Sequence, residues 1–315
     1  MLAMKFRNEN MKEDFYFESC GSGRIHAKIW NCDGAPKGVI QIVHGIAEHV
    51  CRYDDFANFL VDHCYVVVAE DHMGHGESCG KNDVRGFFHG GWSAAIKDTV
   101  KLLEITKSRF GDIPYILFGH SMGSFMVRTI LADYTSLGIS GCIICGTGWQ
   151  SSTLLSVAIP VAKAISKFFG EQRPSKILHT MAFGAYNNHI EQRRTPNDWL
   201  SRDNKIVDQY EADPNCGFIP TAGLMRDMLC GIQYIQRDST LKRMDIAMPC
   251  YFISGAEDPV GDYGAAVQRA VHAFKNTGMK NVTCKIYPLC RHEILNEINR
   301  QEVYEDTLAW IDNLI

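Results

Sequence analysis

Ser121 stands in the pentapeptide Gly119-His120-Ser121-Met122-Gly123, directly after the β-rich run 115–118 and before a helical pattern that opens near Ser124. A serine on a sharp strand-to-helix turn lifts its hydroxyl above the sheet edge. Glycines on either side of it let strand and helix pass without a clash. An unassisted serine is a weak nucleophile and needs a base, itself oriented by an acid. Two later loops offer both. The run 251–254 leads into Gly255-Ala256-Glu257-Asp258-Pro259-Val260, and the run 282–287 into Pro288-Leu289-Cys290-Arg291-His292-Glu293. Asp258 is the expected acid and His292 the expected base, with Glu257 and Asp262 as alternative acids. A carbonyl oxygen under attack gains negative charge that backbone N–H groups can hold. The amides of Met122, after the nucleophile, and Ile46, in His44-Gly45-Ile46 after the run 38–43, are the expected donors. No cofactor is required for such chemistry, and no metal.

The elements that must position these residues are legible in the hydrophobic pattern. Two alternating stretches, 14–18 and 24–30, are separated by Gly21-Ser22-Gly23 and read as a hairpin. From Gly38 onward, short Val/Ile-rich runs (38–43, 65–69, 115–118, 142–145, 251–254, 282–287) alternate with helical patterns (52–62, 92–110, 124–134, 264–276). Strands apolar on both faces and joined by helices predict a mostly parallel, doubly wound α/β sheet, extended on one side by the antiparallel hairpin. The alternation breaks between about 149 and 226, where an apolar helical stretch (151–169, interrupted at Pro160) precedes loop-rich sequence. This predicts a core of 1–149 and 227–315 with a mainly helical cap inserted at 150–226.

With these residues in view, the chain resembles the monoacylglycerol lipase and lysophospholipase branch of the α/β-hydrolases, of the serine aminopeptidase S33 type. The resemblance rests on His44-Gly45-Ile46-Ala47-Glu48-His49 with Arg52-Tyr53, on the elbow 119–123, and on the acid and histidine segments 255–261 and 291–297. Asp71-His72-Met73-Gly74-His75-Gly76-Glu77-Ser78 resembles the D-x-R-G-H-G-x-S loop of that branch, with Met73 where arginine is usual. The cap resembles one bacterial subgroup through Asp198-Trp199-Leu200-Ser201-Arg202-Asp203 and Asp213-Pro214-Asn215-Cys216-Gly217-Phe218. The resemblance implies an eight-stranded sheet, a cap over its carboxyl edge, and activity on monoacylglycerols, lysophospholipids or small acyl esters. An aminopeptidase or amidase on the same scaffold is the alternative, and a non-catalytic binding protein would be expected to have lost part of the triad.

Other features exclude or narrow. The net charge is -4 and no Lys/Arg block tracks phosphates, so nucleic acid is not an expected partner. The twelve cysteines are scattered through apolar runs, with Cys64, Cys142, Cys145, Cys250 and Cys284 expected in buried strands. Together with a polar start over residues 1–15, this predicts a cytoplasmic protein with reduced thiols. No apolar run reads as long enough to span a bilayer. Cys142-x-x-Cys145 lies on a strand, which sends its thiols to opposite faces and makes a redox pair a poor reading. His72, His75, Asp71 and His89 are read as loop structure rather than a metal site. The stretch 151–169 is expected to pack down over an acyl tunnel, with transient membrane-surface contact through the cap as the other reading. Trp149, Phe168, Phe169 and Phe183 are candidate pocket walls.

Overall fold

The computed structural model describes residues 11–315; the first ten residues of the polar start lie outside the described residues. The hairpin of β1 (Lys12–Glu18) and β2 (Arg24–Trp30) leads into β3 (Gly38–Val43), α1 (Asp54–Asp62), β4 (Tyr65–Glu70), α2 (Gly91–Phe110), β5 (Tyr115–His120), α3 (Met122–Asp133) and β6 (Gly141–Cys145). The helical region α4 (Ser152–Phe169), α5 (Lys176–Phe183), α6 (Asn204–Ala212), α7 (Ala222–Ile235) and α8 (Asp238–Leu241) follows. The chain then returns through β7 (Cys250–Gly255), α9 (Ala265–Asn276), β8 (Val282–Tyr287) and α10 (Arg300–Asp312).

The eight strands form one sheet in the order β1-β2-β4-β3-β5-β6-β7-β8. β1 and β2 pair antiparallel, as do β2 and β4, and every other neighbouring pair is parallel. This is the mostly parallel, doubly wound sheet that the alternation predicts, with the eight strands that the α/β-hydrolase resemblance implies. β3 to β7 are buried along their whole length, because helices cover both faces and β-branched side chains fill the space beneath them. Cys142 and Cys145 point into separate core clusters on the two faces, the former with Ile144 and Phe252, the latter with Ile143 and Ile253. Cys64 departs from expectation: it is exposed in the turn before β4, at φ 68°.

Parallel strands give all their following loops to one edge. Val43 is in register with Gly119, His120 with Cys145, and Gly255 with Tyr287. The loops carrying Ile46, Ser121, Asp258 and His292 therefore leave the sheet side by side.

α4 runs unbroken through Pro160. The proline removes one helical hydrogen bond, but Leu155, Ile159, Ala162 and Ser166 are buried on one stripe, and α4 packs on α7. At 18 residues and a mean hydropathy of 1.3, the helix has the length and apolarity to cross a bilayer, a length that the reading of an interruption at Pro160 hides. α7 also packs on α2, α3 and α5, and position 226, the expected end of the cap, falls inside this one continuous helix.

Candidate active site

Ser121 occupies the strained turn that its pentapeptide predicts, at φ 53° and ψ -120°. A Cβ on Gly119 would lie 2.6 Å from the Gly123 carbonyl oxygen, and one on Gly123 would lie 1.9 Å from the Val43 oxygen. Only glycine lets β5 turn so abruptly into α3 beside β3. The turn is pinned by the Ser121 N–H donating to the Cys145 carbonyl at 3.0 Å and by the Ser124 N–H donating to the Ser121 carbonyl at 2.9 Å. Among the described residues the Ser121 hydroxyl makes no hydrogen bond.

Asp258 and His292 meet directly. Asp258 is fully buried, and its Oδ1 lies 3.0 Å from His292 Nδ1 while accepting the Val260 N–H at 2.8 Å. Its Oδ2 accepts the Ser254 hydroxyl at 3.1 Å. Burial pushes the Asp258 carboxyl up, but the His292 ring and these donors outweigh it and hold the acid below its usual range. The alternative acids face elsewhere: Asp262 pairs with Arg269 at 2.8 Å on the surface, and Glu257 lies 3.9 Å from Arg291. The His292 ring sits between His120, at 4.8 Å between centroids, and Trp199, at 5.0 Å. Because His120 immediately precedes Ser121, this ring contact sets the imidazole close to the start of the serine turn. No Ser121–His292 hydrogen bond is made, and such bonds are commonly long before substrate arrives.

Gly45 brings the Ile46 loop to the serine, since a Cβ there would sit 3.0 Å from Ser121 Cβ. Neither the Ile46 nor the Met122 N–H donates to another group among the described residues. Met122 opens α3, where the unpaired amides and the helix dipole favour negative charge.

A buried ionic cluster lies beneath these loops. Glu48 accepts the Gly45 N–H at 2.6 Å, the Tyr53 hydroxyl at 2.9 Å and Arg52 at 2.9 Å, and faces His120 Nδ1 at 3.1 Å. Arg52 forks onto Glu293, the neighbour of His292, with both contacts at 2.6 Å. Burial raises both carboxyls, yet His120 and Arg52 hold Glu48 well below its ordinary value, and Arg52 does the same for Glu293 to a lesser degree. One guanidinium thus ties the Ile46 loop to the His292 loop.

The segment 198–202 also holds the histidine loop. The His292 N–H donates to the Trp199 carbonyl at 3.3 Å and the Glu293 N–H to that of Leu200 at 2.7 Å. Arg291 donates to the Asp198 and Ser201 carbonyls at 2.7 and 3.0 Å, and Arg202 reaches back to Glu297 at 3.0 Å.

A model of the family described as Serine aminopeptidase, S33 matches residues 34–299. The chain belongs to this family. It is 29% identical to a monoacylglycerol lipase of Mycolicibacterium smegmatis over 95% of this chain and 97% of that one. It is 24% identical to the monoglyceride lipase of Mus musculus, covering 92% of this chain and 88% of that one. The crystal structure of a thermostable carboxyl esterase from Bacillus coagulans, in complex with glycerol, superposes with a TM-score of 0.87 at 30% identity, covering 96% of this chain and 98% of that one.

In this S33 family member the expected pocket walls fare unequally. Phe168 is 76% exposed at the outer end of α4, and Phe169 is exposed beside it, so neither walls a pocket. Trp149 lines an open cleft with Ser151, Leu155 and Gln236, and Ser121 is not among the residues lining it. Its ring also covers the buried Arg128 guanidinium at 5.4 Å. Phe183 is half-buried and stacks on Trp199 at 6.5 Å, which connects it to His292. Trp199 itself was legible only as part of the cap's resemblance. Met73, in the position where arginine is usual, is buried, and its sulfur accepts the His89 N–H at 2.8 Å. His72 and His75 pack with His44 beneath the Ile46 loop, with centroids 4.0 and 5.4 Å from its ring.

Proposed function

We propose that this carboxylic ester hydrolase cleaves monoacylglycerol- or lysophospholipid-type acyl esters through a Ser-His-Asp triad and an acyl-enzyme. Ser121 attacks the ester carbonyl while His292 takes its proton, and Asp258 holds the imidazole in the required tautomer and balances its charge. The Ile46 and Met122 amides receive the oxyanion. His292 returns the proton to the leaving alcohol, and water, activated by the same imidazole, clears the acyl group from Ser121. The observation that carries this reading is the buried Asp258–His292 contact beside a strained, unengaged Ser121. An ester substrate is supported by the named activities of the relatives. Of the five acids that could anchor a peptide's amine, Asp198 accepts from Thr195, Asp203 caps α6, Asp208 pairs with Arg194 and Glu171 pairs with Arg226, while Glu191 is exposed.

Leu154, Val157, Phe168 and Phe169 on α4 and Ile177 and Met181 on α5 are exposed. Exposed apolar side chains in this number suit contact with a lipid surface from which an acyl chain is drawn.

A fluorophosphonate probe should label the wild type and not Ser121→Ala, and Asp258→Asn should lower kcat by at least a thousandfold while Asp262→Asn leaves it near wild type. Turnover of graded monoacylglycerols and lysophospholipids should exceed that of aminoacyl anilides. Faster anilide cleavage would replace the ester reading with the peptidase one, and an unlabelled, folded wild type would remove the triad. Phe168→Ser with Phe169→Ser should slow turnover of vesicle-presented substrate and spare a soluble short-chain ester.

A further inference from the structure

His49 plays no part in the chemistry above, yet it is held in an unusual setting. Its Nε2 lies 2.8 Å from Asp213 Oδ2, and with the Cys216 sulfur these three ligand atoms all fall within 4.8 Å of one another. Imidazole and carboxylate come from different segments, His49 from the loop after β3 and Asp213 and Cys216 from the cap turn after α6. The two segments are fastened together. The Ala47 carbonyl accepts both the Gly217 N–H and the Tyr210 hydroxyl at 3.0 Å, with Ala47 itself held at φ 56°. Within the turn, the Cys216 N–H donates to the Asp213 carbonyl at 3.0 Å. The Asn215 N–H donates to Asp213 Oδ1 at 2.8 Å, which fixes the carboxylate with its other oxygen toward His49. Among the described residues no other set of His, Cys and carboxylate groups converges in this way.

We propose that His49, Asp213 and Cys216 form a site for one borderline-soft divalent cation of the Zn²⁺ class, bridging the oxyanion loop and the cap. Nitrogen, oxygen and thiolate sulfur in one set match that class, and three protein ligands leave a fourth, tetrahedral position for water. Metal–ligand bonds of about 2.0–2.3 Å require ligand atoms roughly 3.3–3.8 Å apart, so the His49–Asp213 pair must open by about 0.5 Å and the Cys216 sulfur close by up to about 1 Å, shifts that side-chain rotation supplies. Asp213 is 30% exposed and His49 12%, which gives the ion a way in, while Cys216 is buried behind them. On binding, the ion replaces the hydrogen bond between His49 and Asp213: the Nε2 proton is lost to solvent while another is taken up at Nδ1, which frees the Nε2 lone pair, and the thiol proton leaves to solvent. The nearby Arg52 charge is balanced by Glu48 and Glu293. This site stands independently of the hydrolytic reading.

Co²⁺ added to the reduced full-length protein under anaerobic conditions reads the site without an activity assay. One equivalent should bind with a thiolate-to-cobalt charge-transfer band and strong tetrahedral visible bands, both displaced by Zn²⁺. Cys216→Ser should abolish the charge-transfer band, and His49→Gln and Asp213→Asn should each weaken binding roughly tenfold or more. Thermal melts without metal check that each variant is folded, and the last two carry the test if Cys216→Ser is not. A wild type without the band, a band that survives Cys216→Ser, or unchanged affinity in both His49→Gln and Asp213→Asn would overturn the proposal.

Discussion

Arg52→Met tests the ionic cluster most directly. The substitution keeps the length of the stem over the Tyr210 ring, which lies 4.8 Å from the guanidinium carbon, and removes the charge that serves Glu48 and Glu293. Both carboxylates remain buried, Glu48 still facing His120 while Glu293 keeps only the Asn296 amide at 3.0 Å. Breaking a buried ion pair by deleting one partner costs about 3–5 kcal/mol. An unfolding entropy of about 2.1 cal/mol/K per residue over 315 residues gives roughly 0.66 kcal/mol/K, so about 4 kcal/mol corresponds to a fall in Tm of about 6 °C. The decisive comparison is Arg52→Met with Glu293→Gln added. Removing the stranded charge should restore about half of the lost stability, giving a coupling above about 1 kcal/mol. Because the cluster holds the loops of both Ile46 and His292, kcat on a soluble ester should also fall about 10- to 100-fold in Arg52→Met, or about 1.4–2.8 kcal/mol of barrier. Thermal melts and single-substrate kinetics on the four proteins of the cycle provide the check. Strictly additive losses, or a lowered Tm with kcat unchanged, would refute the argument that Arg52 positions the two loops.

Glu70 gives a pH test with the opposite sign to the site carboxylates. Burial pushes its carboxyl up to about 8 against the donors Thr99 and Gln41, so the folded protein keeps a proton there that the unfolded chain releases near 4.5. That contribution is complete below about 4.5 and is lost as pH rises towards 8, at up to roughly 1.4 kcal/mol per unit. Glu70→Gln should flatten the decline of Tm between pH 5 and 8, and an unchanged slope would show Glu70 ionised in the fold. Asp258, Glu48 and Glu293, all held low, contribute stability above their unfolded values of 3.8 and 4.5 that disappears on acidification below them, so melts should drop steeply under about pH 4. Trp199→Ala removes one of the two rings flanking His292 and should lower kcat about tenfold, with Trp199→Phe recovering most of it. An unchanged kcat with only KM raised would mean that the indole serves substrate binding alone.

The parts of this site that sequence reveals are those whose constraints are local. Gly119 and Gly123 are demanded by atoms a few residues or one strand away, and Asp258 and His292 follow strands whose apolar runs are unmistakable. Chain order then assigns the roles. Arg52, Glu48 and Glu293 obey no such pattern. Arg52 and Glu293 are separated by 241 residues, and a charged residue at the head of an amphipathic helix reads as solvent-facing until its partner is known. α4 fails in the reverse direction. Its apolar residues occupy nearly the whole circumference, so hydrophobicity alone cannot tell Ile159, covered by the fold, from Phe168, left in the open. That choice is made by which stripe α7 happens to cover. The same holds for Trp199, placed by main-chain hydrogen bonds between a cap segment and the histidine loop, bonds that any side chain could make. Local sterics therefore write the proposed nucleophile and its proposed acid–base partners into the sequence, whereas the groups that hold those loops in register depend on contacts only the folded chain creates. Arg52→Met and Trp199→Ala act on that second set.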